Sequence, residues 1–118
     1  PCIVKPYKEG SSLGVRVVFK AEELYDAVTH ACTVDPHKRQ SILIEEKIEG
    51  MEFSCITITD YKTNTLLPLP PTEIILEKGA HFFDYEQKYM PGKGHKRTPP
   101  LCSEHIIKRI QDTCVQAM

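Results

Sequence analysis

Two stretches of this chain have the spacing of apolar residues that an α-helix requires, and this limits the fold more than any other feature. The first is residues 21–32, and the second is residues 103–118, with Ser103 as its N-cap. The apolar positions at helical spacing are Leu24, Ala27, Val28 and Ala31 in the first stretch, and Ile107, Ile110, Cys114 and Met118 in the second. We therefore predict two amphipathic helices.

Most of the remaining chain consists of short β-type runs separated by glycine and proline. The runs lie within residues 1–6, 13–19, 41–59 and 65–76, and the last two ranges each hold two runs, divided at Glu49-Gly50 and at prolines. Residues 77–100 show little periodicity and are predicted to be a loop. The predicted order is β-β-α-β-β-β-β-loop-α. This order indicates an α+β fold, an antiparallel sheet with two helices on one face.

Composition excludes several functional classes. Fifteen basic and sixteen acidic residues leave a net charge of −1, so no overall field attracts nucleic acid or an anionic membrane. The five cysteines form no C-x-x-C pair and have no histidine at zinc-finger spacing, so we predict reduced thiols and no metal site. At 118 residues the chain is long enough for one compact domain. Its first residue already lies in a strand-like run, so we expect a piece of a longer protein.

The segment "IVKPYKEGSSLGV", residues 3–15, joins two predicted strands by a glycine- and serine-rich turn. It matches neither G-x-x-x-x-G-K-[ST] nor G-x-G-x-x-G. Backbone N–H groups and hydroxyls of such a turn can bind an anion, and Lys5 could place a positive charge beside a phosphate. An ordinary Gly-Ser hairpin with a surface lysine explains the same residues, so spacing alone leaves both interpretations open.

Two further segments carry candidate binding groups. "LIEEKIEGMEF", residues 43–53, clusters carboxylates at a strand end, where backbone and carboxylate groups could hold an adenosine. The alternative is a solvated acidic edge. "FFDYEQKYMPGKGHKRTPP", residues 82–100, is aromatic and basic, and could close as a lid over phosphates. The alternative is a solvated basic loop.

The three segments occur together, in this order, and in this combination the chain resembles the central part of the D-alanine–D-alanine ligases, which are ATP-grasp enzymes. The resemblance spans essentially the whole chain, including both predicted helices. It implies an ATP-grasp nucleotide-binding subdomain over residues 1–118, a fragment of a larger ligase, with an ω-loop lid at residues 82–100.

Carried over position by position, the resemblance implies a set of phosphate-binding and catalytic residues. Lys5 would contact the ATP phosphates, and Ser11 and Ser12 would form the flap over the β- and γ-phosphates. Lys88 would approach the γ-phosphate, and Tyr89 would close the ω-loop over the second substrate. Ser11, Lys88 and Tyr89 are thus the implied catalytic residues.

The resemblance also implies an adenine site. Glu45 would accept a hydrogen bond from the adenine amino group, and the backbone of Glu46 and Ile48 would pair with the adenine edge. Ile3 and Phe82 would lie on either side of the ring. The family often has lysine in place of Glu46, but only the backbone is required to act there.

In the implied reaction ATP phosphorylates the carboxylate of one D-alanine, the amine of a second D-alanine attacks the acyl phosphate, and phosphate leaves. Glu52 would bind the ribose hydroxyls. The family binds Mg²⁺ through an Asp and a Glu-x-Asn further downstream. After Pro100 the only acidic residues of this chain are Glu104 and Asp112, both in the last predicted helix, so we assign no metal ligand. We expect no catalysis by the chain alone.

The parent enzyme is expected to be cytoplasmic, to act in peptidoglycan synthesis, and to include further ligase domains. A homodimer, a fused multidomain parent, and D-lactate or D-serine as the acceptor stay open, although Tyr89 favours an amine acceptor. Two other interpretations also remain. One is a different ATP-grasp carboxylate–amine ligase, and the other is a non-catalytic nucleotide-binding module.

Overall fold

We describe a computed structural model that covers all residues, Pro1–Met118. The chain forms two compact units. The first unit comprises Pro1–Gly50 and Leu76–Gly94, and the second comprises Met51–Ile75 and His95–Met118. Antiparallel strand pairs and helices confirm the α+β class. The strands form three separate sheets rather than the one sheet predicted.

The first unit is built on a three-stranded antiparallel sheet. Strand β1 (Cys2–Pro6) lies in its centre, between β2 (Arg16–Val18) and β3 (Ile42–Glu46). This confirms the predicted hairpin across the Gly-Ser turn. Val4 is completely buried because the apolar face of β1 is covered by a helix. Pro6 ends β1, as expected for a residue that has no N–H to donate.

Helix α1 (Leu24–Cys32) follows a single 3₁₀ turn (Ala21–Glu23) and packs on this sheet. The Glu23 carboxylate accepts from the backbone N–H of Phe19 at 2.9 Å and of Lys20 at 3.2 Å. These hydrogen bonds lower the pKa of Glu23. Ala27 and Ala31 are buried, as predicted for the apolar face, whereas Leu24, predicted on the same face, is 36% exposed because it lies at the start of the helix. The small side chains at these two positions allow the helix to approach the sheet closely.

The segment predicted as a loop contains a short helix, α2 (Tyr85–Tyr89), so the loop prediction was wrong there. Asp84 caps the helix by accepting from the Gln87 backbone N–H at 2.9 Å. The Gln87 side chain, only 4% exposed, donates to the carbonyl of Phe82 and accepts from the N–H of Glu77, each at 3.0 Å. A helix of five residues is too short to produce an apolar period, which explains the missed prediction.

The second unit contains the other two sheets. Strands β4 (Glu52–Ser54), β7 (Thr72–Ile75) and β8 (His95–Arg97) form one, with β7 central. Strands β5 (Thr57–Asp60) and β6 (Thr65–Pro68) form a hairpin. Residues 41–59 thus hold three strands rather than two. Strand β8 was missed because its residues, His-Lys-Arg, are all exposed and have no apolar alternation.

Glu73 joins β7 to the segments around it. It is 8% exposed, and its carboxylate accepts from Arg97 Nη2 at 2.9 Å and from the Leu101 backbone N–H at 3.0 Å. The Leu101 hydrogen bond, followed by Arg97, lowers the pKa of Glu73 although partial burial opposes the shift. A buried carboxylate with both partners in place stabilises the unit at neutral pH.

Helix α3 (Glu104–Gln116) confirms the second predicted helix, and Ser103 caps it by accepting from the Ile106 N–H at 3.4 Å. The Gln111 side chain donates to the carbonyl of Leu69 at 3.2 Å, which ties the helix to the segment after β6. Met118, predicted on the apolar stripe, lies beyond the helix and is 78% exposed. No helix in the structure has the length and apolarity needed to cross a membrane.

Candidate phosphate and nucleotide site

The turn between β1 and β2 has a strained backbone. Ser11 and Ser12 are consecutive non-glycine residues in the left-handed region, with φ of 56° and 62°. Residues other than glycine rarely adopt such angles, at a cost of roughly 1–3 kcal/mol each, and such strain concentrates at functional sites. Gly14, with φ of 72°, closes the turn where a Cβ would lie only 2.3 Å from Val34 Cγ2.

Lys88 on α2 lies against this turn. Its Nζ donates to Ser12 Oγ at 2.7 Å, and Ser12 Oγ donates to the Phe83 carbonyl at 2.9 Å. The ammonium also lies 5.6 Å from the centre of the Phe83 ring, a cation–π contact. Lys88 takes part in none of the chain's ion pairs. A partly buried positive charge without a carboxylate partner favours an anion beside it.

A second contact joins the same turn to α2. The hydroxyls of Ser11 and Tyr89 are 2.6 Å apart, and the Tyr89 ring packs on Tyr85 with ring centres 4.8 Å apart. Two adjacent serines thus contact two adjacent residues of the helix. The structure brings together four residues that the sequence had assigned to the phosphates and to the closing of the lid.

Lys5, near the end of β1, forms an ion pair with Glu45 of β3 at 2.5 Å. Ile3 lies directly opposite Glu45 in the register, so Ile3, Lys5 and Glu45 share one face of the sheet. Both charged side chains are more than one-third exposed. An exposed pair of this kind is worth roughly 0–1 kcal/mol, so a phosphate could displace Glu45 from Lys5 at little cost.

One edge of strand β3 has no neighbouring strand, so its backbone groups are free to bind a ligand. β3 is an edge strand, paired with β1 alone, and Glu46 is its last residue. Its other edge presents N–H and C=O groups that have no partner strand. Ile48 follows β3 and is 84% exposed. An unpaired strand edge next to Glu45 suits the predicted pairing of the backbone with an adenine.

Two predicted nucleotide-binding residues take part in none of the contacts described above for this site. Glu52 begins β4 in the second unit, where it pairs with Ile74. Phe82 lies in the first unit, and its carbonyl accepts from Gln87. The roles predicted for both side chains stay predictions.

The acidic cluster of residues 45–52 does not form a metal site. Lys47 Nζ donates to Glu49, and this hydrogen bond lowers the pKa of Glu49. Glu45 pairs with Lys5. No group of three or more His, Cys, Asp and Glu side chains in the chain is arranged to bind a metal ion. The residues present therefore do not fit the Mg²⁺ that the fold family implies.

Sequence reasoning missed Phe83 and Gln87. Phe83, 9% exposed, supplies both the carbonyl that binds Ser12 and the ring under Lys88. Gln87 fixes the start of α2 by its two side-chain hydrogen bonds. A signal for this helix was present, because Asp84 followed three residues later by Gln87 is typical of a helix N-terminus.

The whole chain, residues 1–118, matches the family model described as "D-ala D-ala ligase C-terminus". The chain belongs to this family. The D-alanine--D-alanine ligase of Desulfotalea psychrophila is 33% identical over 119 residues, which is 99% of this chain and 34% of that protein. The D-alanine--D-alanine ligase of Christiangramia forsetii is 41% identical over 115 residues, or 98% of this chain and 32% of that protein.

Solved structures agree with this assignment. The VanG D-Ala:D-Ser ligase from Enterococcus faecalis superimposes with a TM-score of 0.75 and 30% identity, over 98% of this chain and 31% of that protein. The D-alanine-D-alanine ligase from Coxiella burnetii, with a TM-score of 0.65 and 22% identity, shows the same fold. The chain thus spans about a third of the length of the D-Ala ligases it matches.

Proposed function

We propose that this chain is the ATP-binding portion of an ATP-dependent D-alanine–D-alanine ligase. The observation that carries the proposal is Lys88, a partly buried ammonium held by Ser12 and Phe83 and without a carboxylate partner. The family assignment and the three sequence segments support the ligase chemistry.

The phosphates are proposed to lie between β1 and α2. Lys88 binds the γ-phosphate and Lys5 exchanges Glu45 for phosphate oxygens, so two ammonium groups offset charge that develops during phosphoryl transfer. Ser11 and Ser12 supply hydroxyl donors from a turn that its contacts with α2 already hold in place. A turn that is ordered beforehand loses little entropy when the nucleotide binds.

Release of Glu45 from Lys5 has a second consequence. The freed carboxylate becomes able to accept from the adenine amino group, while the open edge of β3 at Glu46 and the backbone of Ile48, just after the strand, pair with the ring. Ile3 and Phe82 contact the ring faces and Glu52 binds the ribose. ATP binding thus replaces an internal ion pair by two separate contacts to one ligand.

The lid is proposed to consist of residues 82–100, and the hydrogen bond between Tyr89 and Ser11 is its latch. A closed latch excludes water, which protects the acyl phosphate of the first D-alanine from hydrolysis. The amine of the second D-alanine then attacks the acyl carbon and phosphate leaves. The remaining ligase domains supply the Mg²⁺ ligands and the first D-alanine site.

The parent protein is proposed to work in the cytoplasm, where ATP is available, and to supply the dipeptide for peptidoglycan. Incubating the complete protein with ATP, Mg²⁺ and D-alanine should yield D-Ala-D-Ala and one phosphate for each dipeptide. Parallel reactions with D-serine or D-lactate as the second substrate test the acceptor, since a D-Ala:D-Ser ligase is among the structural neighbours.

Different results would contradict different parts of the proposal. ATP binding by the complete protein with no product from any carboxylate–amine pair would favour a nucleotide-binding module. Products from other substrates alone would indicate another ATP-grasp ligase. D-Ala-D-Ala synthesis by the isolated chain would contradict our assignment of the metal site to other domains.

A further inference from the structure

Two cysteines distant in sequence meet in the second unit. Cys55 lies between β4 and β5, Cys114 lies on α3, and both are free and half-buried. The Cys114 side chain lies near enough to the Cys55 thiol to raise the pKa of that thiol. The remaining cysteines are Cys2, Cys32 and Cys102, which are also free.

An independent set of contacts fixes the same arrangement. Cys55 Sγ donates to the Leu69 carbonyl at 3.5 Å, and the Gln111 amide donates to that same carbonyl at 3.2 Å. Gln111 and Cys114 are three residues apart on α3 and therefore lie on one face of the helix. The Cys55 thiol and the face of α3 that carries Cys114 therefore both lie next to the Leu69 carbonyl.

We propose that Cys55 and Cys114 form a redox modification site, in which hydrogen peroxide converts the two thiols to a disulfide. One thiolate attacks a peroxide oxygen, which gives a sulfenic acid and, after protonation, one water. The second thiol attacks the sulfenic sulfur, the S–S bond forms, and the sulfenic oxygen leaves as a second water. Two thiols are oxidised by two electrons and one peroxide is reduced by two.

The bond would join α3 to the start of β5. It would close a loop that contains the β5–β6 hairpin, β7 and β8, and so restrict the unfolded chain more than the folded one. Reversible disulfides of this kind, in an otherwise reduced compartment, are typical of redox sensing. The inference is independent of the proposed ligase activity.

Burial and the neighbouring Cys114 raise the pKa of the Cys55 thiol. Since the thiolate is the reactive form, the reaction at neutral pH should be slower than that of an exposed thiol. Its rate should increase as the pH rises above the ordinary thiol pKa. We therefore expect the two thiols to stay reduced under ordinary conditions and to form the disulfide only under sustained exposure to peroxide.

The test treats the complete protein with hydrogen peroxide, blocks residual thiols, and maps peptides without reduction. The expected result is a cross-linked peptide pair containing Cys55 and Cys114, lighter by two hydrogen atoms than the two peptides together, which dithiothreitol separates. Hydrogen exchange in α3 should slow on oxidation. Cys102→Ser leaves the pair intact and should behave like the wild type, whereas Cys55→Ser should lose both effects.

Three outcomes would overturn the inference. One is a Cys55 or Cys114 that stays reduced under sustained peroxide while Cys2, Cys32 or Cys102 oxidises. Another is sulfinic acid on either residue without a cross-link, and the third is a cross-link of either residue to Cys102. Each outcome is read from the wild-type protein, so the test remains decisive even if the Cys55→Ser variant fails to fold.

Discussion

The two units of this chain use their polar side chains in different ways. Around the β1–β2 turn of the first unit, side chains contact other side chains, as in the pairs Ser11–Tyr89 and Ser12–Lys88. In the second unit, the buried Glu73 carboxylate accepts from a backbone N–H and from Arg97 at the same time. A buried carboxylate with both partners in place is committed to the fold. Exposed or half-buried hydroxyl and ammonium groups that bind each other can exchange partners for a ligand, although Ser12 also donates to the Phe83 carbonyl. The difference separates a binding region from a supporting one.

Backbone strain shows the same contrast. The second unit has one non-glycine residue with positive φ, Asn64 at 53°, in the β5–β6 turn, and asparagine tolerates this conformation. The first unit places two consecutive serines there. Because serine gains little locally from a left-handed conformation, the strain at Ser11 and Ser12 is balanced by their contacts with α2.

Among the substitutions that test this difference between the units, Lys88→Ala is expected to have the largest effect. Removing the ammonium from the phosphates should lower kcat/KM for ATP by about 100-fold or more in the complete protein, the size typical of a lost donor to a developing charge. The matched control is Lys108→Ala, which removes only an exposed pair with Asp112. If both substitutions had equally small effects on steady-state kinetics, the first unit would not be distinguished from the second as the phosphate-binding one.

Gly14→Ala tests the strain of the turn. The alanine Cβ would lie 2.3 Å from Val34 Cγ2 and 2.8 Å from Pro6 Cγ, at φ of 72°. We expect a loss of stability of about 2 kcal/mol, measured by urea unfolding. The control is Gly10→Ala, where no atom lies within 4 Å of the added Cβ. A Gly14→Ala protein as stable as the Gly10→Ala protein would show that the turn is not held in this conformation.

Lys5→Ala should weaken ATP use by roughly one to several kcal/mol, because a charge-assisted contact to phosphate is lost. Unfolding stability should barely change, since the exposed ion pair with Glu45 contributes little to folding. Lys62→Ala in the second unit is the control. An unchanged KM for ATP together with an unchanged rate would contradict the assignment of Lys5.

Glu73→Gln tests the supporting unit and should give the smallest functional effect. The pKa of Glu73 is lowered in the folded chain, chiefly by the Leu101 N–H. Its contribution to stability is therefore complete above the ordinary carboxyl pKa and is lost as the pH falls through the folded pKa. Chemical denaturation across acidic pH should show this dependence in the wild type and in Glu104→Gln, and a weaker one in Glu73→Gln. Identical pH profiles would contradict it.

Sequence reasoning succeeded where one pattern extends over many residues. Both long helices and the β1–β2 hairpin follow from apolar periodicity and turn residues. It failed at α2 and β8, which are too short or too polar to form a pattern. The division into three sheets depends on pairing between distant strands, such as β4 with β7, and local residues do not specify that pairing.

For the candidate site, too, some features could be predicted from the sequence and others could not. The residue types at positions 5, 11, 12, 88 and 89 could be recognised from three segments and their order. Their partners could not, because the contacts Ser12–Phe83 and Lys5–Glu45 depend on how a turn, a helix and two strands pack. The sequence assigned Lys5 and Glu45 to opposite ends of one nucleotide, and the structure shows them paired with each other.

The most direct test of the central claim is a calorimetric comparison of ATP and adenosine binding to the complete protein, with and without Lys88→Ala. Our account predicts that the variant loses at least about tenfold in affinity for ATP, which corresponds to roughly 1.4 kcal/mol. It should bind adenosine as the wild type does, because Lys88 meets only phosphate. Equal losses for both ligands, or no loss for ATP, would contradict a phosphate site between the β1–β2 turn and α2.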